Sequence, residues 1–474
     1  MKKLSELYEG YPDILINDIK ISSKEVNKND LFVCIKGVTK DRNNYINEAI
    51  MKGAVAIVTN KNVNVSVPVI YVSNPNKELV NLCRKFYDFK DNNLDIIAIT
   101  GTNGKTTVAS IIKDLIGDNC GYMGTNGIIC KSFNHKIRNT TPDADRLYKY
   151  FKMFNDAGCK YLAMEASSEA FFRNRLDSLM FKIGIITNIT EDHLNVHGTI
   201  ENYVASKKKI INHIEKDGVL ILNKDDKHYL DILEKANCKV LTIGKNDAIL
   251  EIVKINAFAD KTDITLKFQD KMYDITSPLL GEFNAYNLCA ALLSLIALGK
   301  KLEEIIPSIN KISIPKGRME FLKYGQKYHI ILDYAHTSDA FKNIYEFLNK
   351  VKTGKIITVT GSAGGREHEK RKEIGKLVLD NSDYCIFTMD DPRNEDVNTI
   401  IDELIGNSRK TNYERIVDRK LAIKKALDMA NKDDIILIAG KGDDDYMAIK
   451  DEYIPYKDED VVISYFQSKI YNKL

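Results

Sequence analysis

Three observations predict an α/β protein built from three domains. Apolar, β-branched runs alternate with amphipathic helical stretches along most of the chain. One of these runs ends in a glycine turn that opens directly into a helix. The 474 residues, 44% of them hydrophobic, supply about three packed cores. The expected organisation is a small N-terminal α/β unit over 1–90, a central P-loop-type mononucleotide-binding sheet over 91–314, and a C-terminal Rossmann-like unit over 315–474.

The elements follow in order. Strands are expected at 31–35, 54–59 and 69–72, with helices at 45–52 and 77–87. The central unit starts with the apolar strand before Gly101 and continues through strands near 161–166, 182–188 and 219–223. The last unit alternates strands at 329–335, 355–361, 384–389 and 434–439 with helices near 339–350, 370–380, 399–405 and 420–430. Such alternation predicts mostly parallel sheets with ligands at the strand C-terminal ends. Gly101, Glu165, Asn188, Asp333, Gly361, Asp390 and Gly440 all fall at such ends.

Charge and cysteine content exclude several classes. Sixty-nine basic and 66 acidic residues leave +3, so bulk charge gives no argument for nucleic acid. No run reaches the roughly 18 apolar residues of a membrane span. The opening MKKLSELYEGYPD lacks the apolar run of a signal peptide. The eight cysteines are scattered, with no Cys-x-x-Cys pair, so reduced, buried thiols in a cytoplasmic protein are expected. A monomer is expected as well.

The most informative stretch is LDIIAITGTNGKTTV at 94–108. Gly104, Lys105 and Thr106 fit the phosphate-loop pattern, but Ile99 stands where its first glycine belongs. The loop is therefore tighter, built on Gly101 and Gly104. Backbone N–H groups and a helix N-terminus still face a phosphate. Lys105 can reach the β/γ oxygens and the Thr106 hydroxyl can ligate Mg²⁺. Glu165, closing a strand, could hold the same ion or merely favour a helix N-terminus. His193 and His197 are spaced to share a helix face, with Asp192 adjacent. Lys207–Lys209 reads as a solvated helix face. Asn284 and Asn287, before an apolar helix, suit either an adenine edge or a cap. Arg366 and Arg393 each lie beyond a strand end and suit carboxylate recognition, with surface ion pairs as the plainer reading.

Taken together, GTNGKTT, NTTPD, MEASS, DHLNVHG, the lysine of ASK, NAYN, GRME, LDYAHT, GG-R…KR, DDPR and GKG resemble the Mur ligase family over nearly the whole chain. The resemblance implies an ATP-dependent amide-bond former. ATP phosphorylates the D-Glu carboxylate of UDP-MurNAc-L-Ala-D-Glu, and the amine of a diamino acid attacks the acyl phosphate. It implies ATP and Mg²⁺, and an N-terminal domain that binds UDP-MurNAc. Gly101, Thr102, Asn103, Gly104, Lys105, Thr106 and Thr107 would form the ATP loop, with Asn284, Asn287, Arg318 and Asp333 on the ATP side. Thr106, Glu165, His193 and Lys207 would hold magnesium. Lys207 matches the lysine that is carbamylated in the family, and Lys105, Glu165, His193 and Lys207 would carry the catalysis. Ser23, Asn139, Thr140, Thr141, Ser167, Arg173 and Arg175 fall at UDP-MurNAc-dipeptide positions. Arg366, Asp390, Asp391, Arg393, Gly440 and Asp444 fall where the third amino acid binds.

The chain departs from the family pattern in places. Arg173 replaces a frequent Gln, Ser22-Ser23-Lys24 replaces Asp-Ser-Arg, and Asp41-Arg42 replaces Asp-Gly. The diaminopimelate signature Asp-Asn-Pro-Arg becomes Asp390-Asp391-Pro392-Arg393, and a later Glu becomes Asp444. Arg393 favours meso-diaminopimelate, which has a distal carboxylate. The charge of Asp391 favours a distal ammonium, so L-lysine stays open. Two other readings are a folylpolyglutamate-type amide ligase and a non-catalytic nucleotide-binding protein.

Overall fold

The computed structural model describes residues 1–36, 41–90, 93–365 and 368–471. Three main sheets succeed one another along the chain. The first has four parallel strands in the order Ile19–Lys20, Asp30–Val33, Ala54–Thr59, Val69–Tyr71. Helix Pro75–Phe86 packs beside it. Its start follows from an Asn74 cap, whose side chain accepts from the Asn76 and Lys77 N–H groups, and from Pro75 at the first helical position.

The second sheet has eleven strands. Its parallel centre runs Cys120–Gly124, Tyr161–Glu165, Asp95–Thr100, Phe181–Ile186, Ile214–Asn223, Lys239–Gly244, Leu250–Ala257. Both faces of these strands are covered, so they read as continuous apolar runs. One face packs on helices Lys105–Ile116 and Glu282–Ala297, the latter buried on nearly every side. The other face shares a core with the N-terminal unit.

Antiparallel hairpins extend both edges of this sheet. Gly127–Cys130 and Phe133–His135 form one, and Leu250–Ala257, Thr262–Phe268 and Lys271–Ser277 the other. The strand–helix reading did not anticipate them. The strands from 250 to 277 alternate in part between buried and open positions and are rich in charge, so they carry only a period-2 signal, while Gly127–Cys130 and Phe133–His135 are too short to show one.

The third sheet has six strands, ordered Glu320–Leu322, His329–Asp333, Ile435–Ala439, Ile356–Thr360, Tyr384–Phe387, Tyr413–Arg415. The last five are parallel and the first is antiparallel to its neighbour. Apolar layers cover both faces. The seven residues expected at strand ends all lie there or within three residues of them. All eight cysteines are unpaired, and Cys238 is the only one not buried. Among the described residues no helix is long and apolar enough to cross a membrane.

Candidate active site

The strand ends converge on a cavity of 1580 Å³ that draws residues from all three sheet regions. Its floor is the loop between strand Asp95–Thr100 and helix Lys105–Ile116. Two glycines are required there. Gly101 has φ +147°, and a Cβ on it would stand 1.9 Å from Thr187 Oγ1. Gly104 has φ +88°, and a Cβ would stand 2.3 Å from Asn287 Oδ1. The loop is clamped from outside. The Thr102 and Asn103 N–H groups donate to Asn188 O (2.8 Å) and Asn188 Oδ1 (3.0 Å). Thr187 Oγ1 donates to Asn103 O at 2.6 Å.

Two ammonium groups converge on one carbonyl. Lys105 Nζ donates to Gly101 O and Thr102 O, each at 2.9 Å, and Lys207 Nζ donates to Gly101 O at 2.7 Å. Lys207 is 1% exposed, so the solvated-face reading fails for it. Burial, reinforced by the charge of Lys105, holds its pKa well below the usual lysine range. Burial lowers Lys105 too, against the attraction of Glu165.

Glu165 is 0% exposed. Its Oε1 accepts from Tyr122 OH (2.7 Å) and Thr125 N (2.9 Å), whereas Oε2 has one long contact with Thr125 Oγ1 (3.3 Å). Arg318, lying over the Tyr334 ring at 4.5 Å, donates to Thr106 Oγ1 at 3.1 Å. Both Asp333 oxygens accept from backbone, Met319 N and Ala335 N, each at 2.7 Å. Asp333 thus fixes the turn that delivers Arg318. Asn284 and Asn287 sit inside helix Glu282–Ala297, not ahead of it. Asn284 Nδ2 donates to Leu280 O, and Asn287 Nδ2 donates to Asn284 Oδ1.

The two histidines do not share a helix face. His193 is the cap of the four-residue helix Leu194–His197 and has φ +54°. Its ring lies 3.3 Å from Asp192 Oδ2. His197 turns inward, with its ring nitrogens 3.1 Å from Ser168 Oγ and 3.2 Å from Ser206 Oγ. Asp192 is a hub that sequence reading passed over as a mere neighbour. Its buried carboxylate also meets Lys370 (3.3 Å) and His336 (4.0 Å) from the third sheet region. Burial alone would raise its pKa, but these charges outweigh burial and hold the carboxyl below the usual range.

Along another wall, Thr141 Oγ1 donates to Glu165 O (2.8 Å) and accepts from Ser167 N (3.0 Å). Thr140 Oγ1 lies 3.2 Å from Thr125 Oγ1. Arg175 donates to Thr141 O at 3.0 Å and pairs with Asp143. Asn139 and Ser167 also line the cavity. Ser23 is buried, with Ser22 on the cavity instead, and Arg173 does not line the cavity but pairs with Glu169, which does.

At the far end, Asp390, Asp391, Arg393, Gly440 and Asp444 gather around the cavity. A Cβ on Gly440 would stand 2.0 Å from Asp390 Oδ2. Arg393 Nη1 donates to Gly364 O at 3.0 Å. Burial pushes the Asp444 carboxyl up to about 6, opposed by Lys441. Asp391 Oδ1 accepts from Lys441 Nζ at 2.7 Å, the lysine of the GKG motif, whose partner no local pattern identifies. Arg366 lies outside the described residues.

Glu165 Oε2 and the Thr106 hydroxyl offer hard oxygen donors beside a phosphate loop, which fits Mg²⁺. Among the described residues no three His, Cys, Asp or Glu side chains cluster as a metal cage. That sparse set suits an ion completed by substrate phosphates.

Three family descriptions match in chain order: Mur ligase family, catalytic domain, over 15–93; Mur ligase middle domain over 99–295; and Mur ligase, glutamate ligase domain, over 317–442. A Clostridium acetobutylicum protein named UDP-N-acetylmuramoyl-L-alanyl-D-glutamate–2,6-diaminopimelate ligase 2 is 36% identical over 477 residues, covering 96% of each chain. A solved UDP-N-acetylmuramoyl-L-alanyl-D-glutamate–2,6-diaminopimelate ligase is similar at 27% identity and TM-score 0.66, covering 98% of this chain and 99% of its own. MurF ligase from Thermotoga maritima, solved in complex with ADP, shares the fold at 18% identity and TM-score 0.69, covering 98% of this chain and all of its own.

Proposed function

The chain belongs to the Mur ligase family, and from that premise we propose that it joins a diamino acid to the D-Glu carboxylate of UDP-MurNAc-L-Ala-D-Glu. It is an ATP-dependent acid–amino-acid ligase of peptidoglycan precursor synthesis, and meso-diaminopimelate is the amino acid we favour. The observation that carries this reading is the single cavity. The phosphate loop, the Thr140–Thr141 wall and the Arg393 turn all open onto it. We assign 1–90 to UDP-MurNAc binding, 91–314 to ATP and 315–474 to the amino acid.

A carboxylate is a poor electrophile until it is phosphorylated. In the first step a D-Glu carboxylate oxygen bonds to the γ-phosphorus as the β–γ bridging P–O bond breaks, leaving ADP. Lys105 neutralises charge on the transferring oxygens, aided by the N–H groups that open helix Lys105–Ile116. Mg²⁺, held by Thr106, Glu165, His193 and Lys207, supplies further charge neutralisation at those oxygens when bound. In the second step the incoming amine attacks the acyl carbon, loses its proton, and phosphate leaves as the amide forms.

Lys207 as an ammonium does not suit a cation site. Its lowered pKa favours the free amine, which adds CO₂: the nitrogen bonds to carbon, one C=O becomes C–O⁻, and the proton goes to solvent. The product is an anionic oxygen donor.

The test combines product and rescue. ATP, UDP-MurNAc-L-Ala-D-Glu and meso-diaminopimelate are expected to yield one tripeptide per ADP. Lys207→Ala is expected to lose most turnover and to regain part of it with a short added carboxylic acid. Absence of tripeptide with every diamino acid would overturn the reading.

A further inference from the structure

We propose that Lys441 is a positioning residue that decides which diamino acid this chain accepts, by taking up the charge of Asp391 and leaving Arg393 to address the distal end of the substrate. The inference rests on the ligase reading above and deepens it.

Lys441 is 0% exposed. Its ammonium lies 2.7 Å from Asp391 Oδ1, 3.4 Å from Asp444 Oδ2 and 4.8 Å from the Tyr446 ring centroid. Asp391 Oδ1 also accepts from Ala448 N at 2.9 Å. The Asp391 N–H, in turn, donates to Met447 Sδ at 3.2 Å. Its Oδ1 is therefore held by Lys441 and by the strand Tyr446–Ile449, and the adjacent ammonium offsets the negative charge that would otherwise attract a substrate ammonium.

The same contacts hold an unfavourable backbone. Asp391 (φ +43°) and Arg393 (φ +51°) flank Pro392 in the left-handed region, which costs about 1–2 kcal/mol per non-glycine residue. Arg393 N donates to Ala448 O (3.0 Å) and Lys450 N donates to Arg393 O (2.7 Å). The turn is laced to the neighbouring strand, and the Lys441–Asp391 pair is its buried anchor. An aspartate in place of asparagine thus changes the inside of the turn. The charge it presents to the cavity is cancelled by Lys441.

The two single substitutions then act in opposite directions. Lys441→Met leaves Asp391 as an uncompensated anion beside the cavity. Asp391→Asn leaves Lys441 with only Asp390 and Asp444 as neighbouring anions. The experiment measures kcat/KM for meso-diaminopimelate and for L-lysine with wild type, both single variants and the double variant. Lys441→Met is expected to raise the lysine-to-diaminopimelate ratio about tenfold or more, mainly through KM. Asp391→Asn is expected to lower that ratio, and the double variant to return within roughly threefold of wild type.

Loss of both activities by one factor in Lys441→Met, without recovery in the double variant, would mean a merely structural role and overturn the proposal. If Lys441→Met does not fold, Asp391→Asn still decides by the sign of its shift. Wild type active with an unmoved ratio in Asp391→Asn overturns this inference alone. Wild type inactive with both of these and with every other diamino acid overturns the ligase reading with it.

Discussion

Individual residues carry the chemistry, and several can be tested singly. Lys105→Met removes the cation proposed to neutralise the transferring oxygens, and Glu165→Gln removes a carboxylate charge proposed to hold Mg²⁺. Each is expected to lower kcat by about 10²–10³, measured as ADP release at saturating substrates. Lys105 stands out in the sequence because a Gly-Lys-Thr turn after an apolar strand has few other uses, whereas Glu165 alone read equally as a helix N-terminal acid. Lys441 and Asp192 stand inside the GKG and DHLNVHG motifs, but their partners were not legible, since nothing local shows which aspartate fifty residues away a lysine meets. Asp145 was equally hidden. It is buried, its Oδ1 has no hydrogen-bond partner, and burial pushes its carboxyl up to about 7. An acid whose pKa is raised on folding costs stability as pH climbs from its unfolded value near 4 to its folded value near 7. Asp145→Asn is expected to remove that part of the pH dependence. The variant should gain roughly 2–4 kcal/mol on wild type above pH 7 and nothing below pH 4, read from urea midpoints across a pH series.

Elements place those residues. The parallel strands and their crossover helices were readable because buried strands make continuous apolar runs and covering helices keep a 3.6-residue period. The antiparallel edge strands escaped because those from 250 to 277 are charge-rich and resemble loops in composition, and those at 127–130 and 133–135 are very short. The expectation for His193 and His197 failed for a local reason: the left-handed φ at His193 leaves it outside the helix that His197 ends. Element ends are also held by buried ions. Arg419 donates through Nε and Nη2 to the Asp458 carboxylate at 2.8 and 2.7 Å, and to Ala439 O, the residue before Gly440. Arg419→Met strands the buried Asp458 and is expected to cost about 3–5 kcal/mol in urea unfolding. Arg419→Met with Asp458→Leu should recover much of it. Gly104→Ala forces a Cβ against Asn287 in a left-handed turn. It is expected to raise the KM for ATP at least about tenfold, with kcat for any remaining activity less affected.

The whole molecule brings residues of three sheet regions onto one cavity. Arg318 reaches Thr106, Asn103 Nδ2 donates to Asp339 Oδ2 at 2.8 Å, Lys370 reaches Asp192, and Lys136 pairs with Asp443. These contacts join the phosphate loop to the region of the amino-acid turn, so no single sheet holds a complete site. The order of motifs made that convergence inferable. Its contacts were not, because each joins residues more than 170 positions apart. The central claim is that the phosphate held at Gly101–Thr107 goes to a carboxylate and not to water. The direct measurement uses UDP-MurNAc-L-Ala-D-Glu with ¹⁸O in the D-Glu side-chain carboxylate, turned over with ATP and meso-diaminopimelate. One ¹⁸O is predicted in each phosphate released, because the carboxylate oxygen that attacked phosphorus leaves with it. Unlabelled phosphate, with all of the ¹⁸O retained in the organic product, would contradict the account.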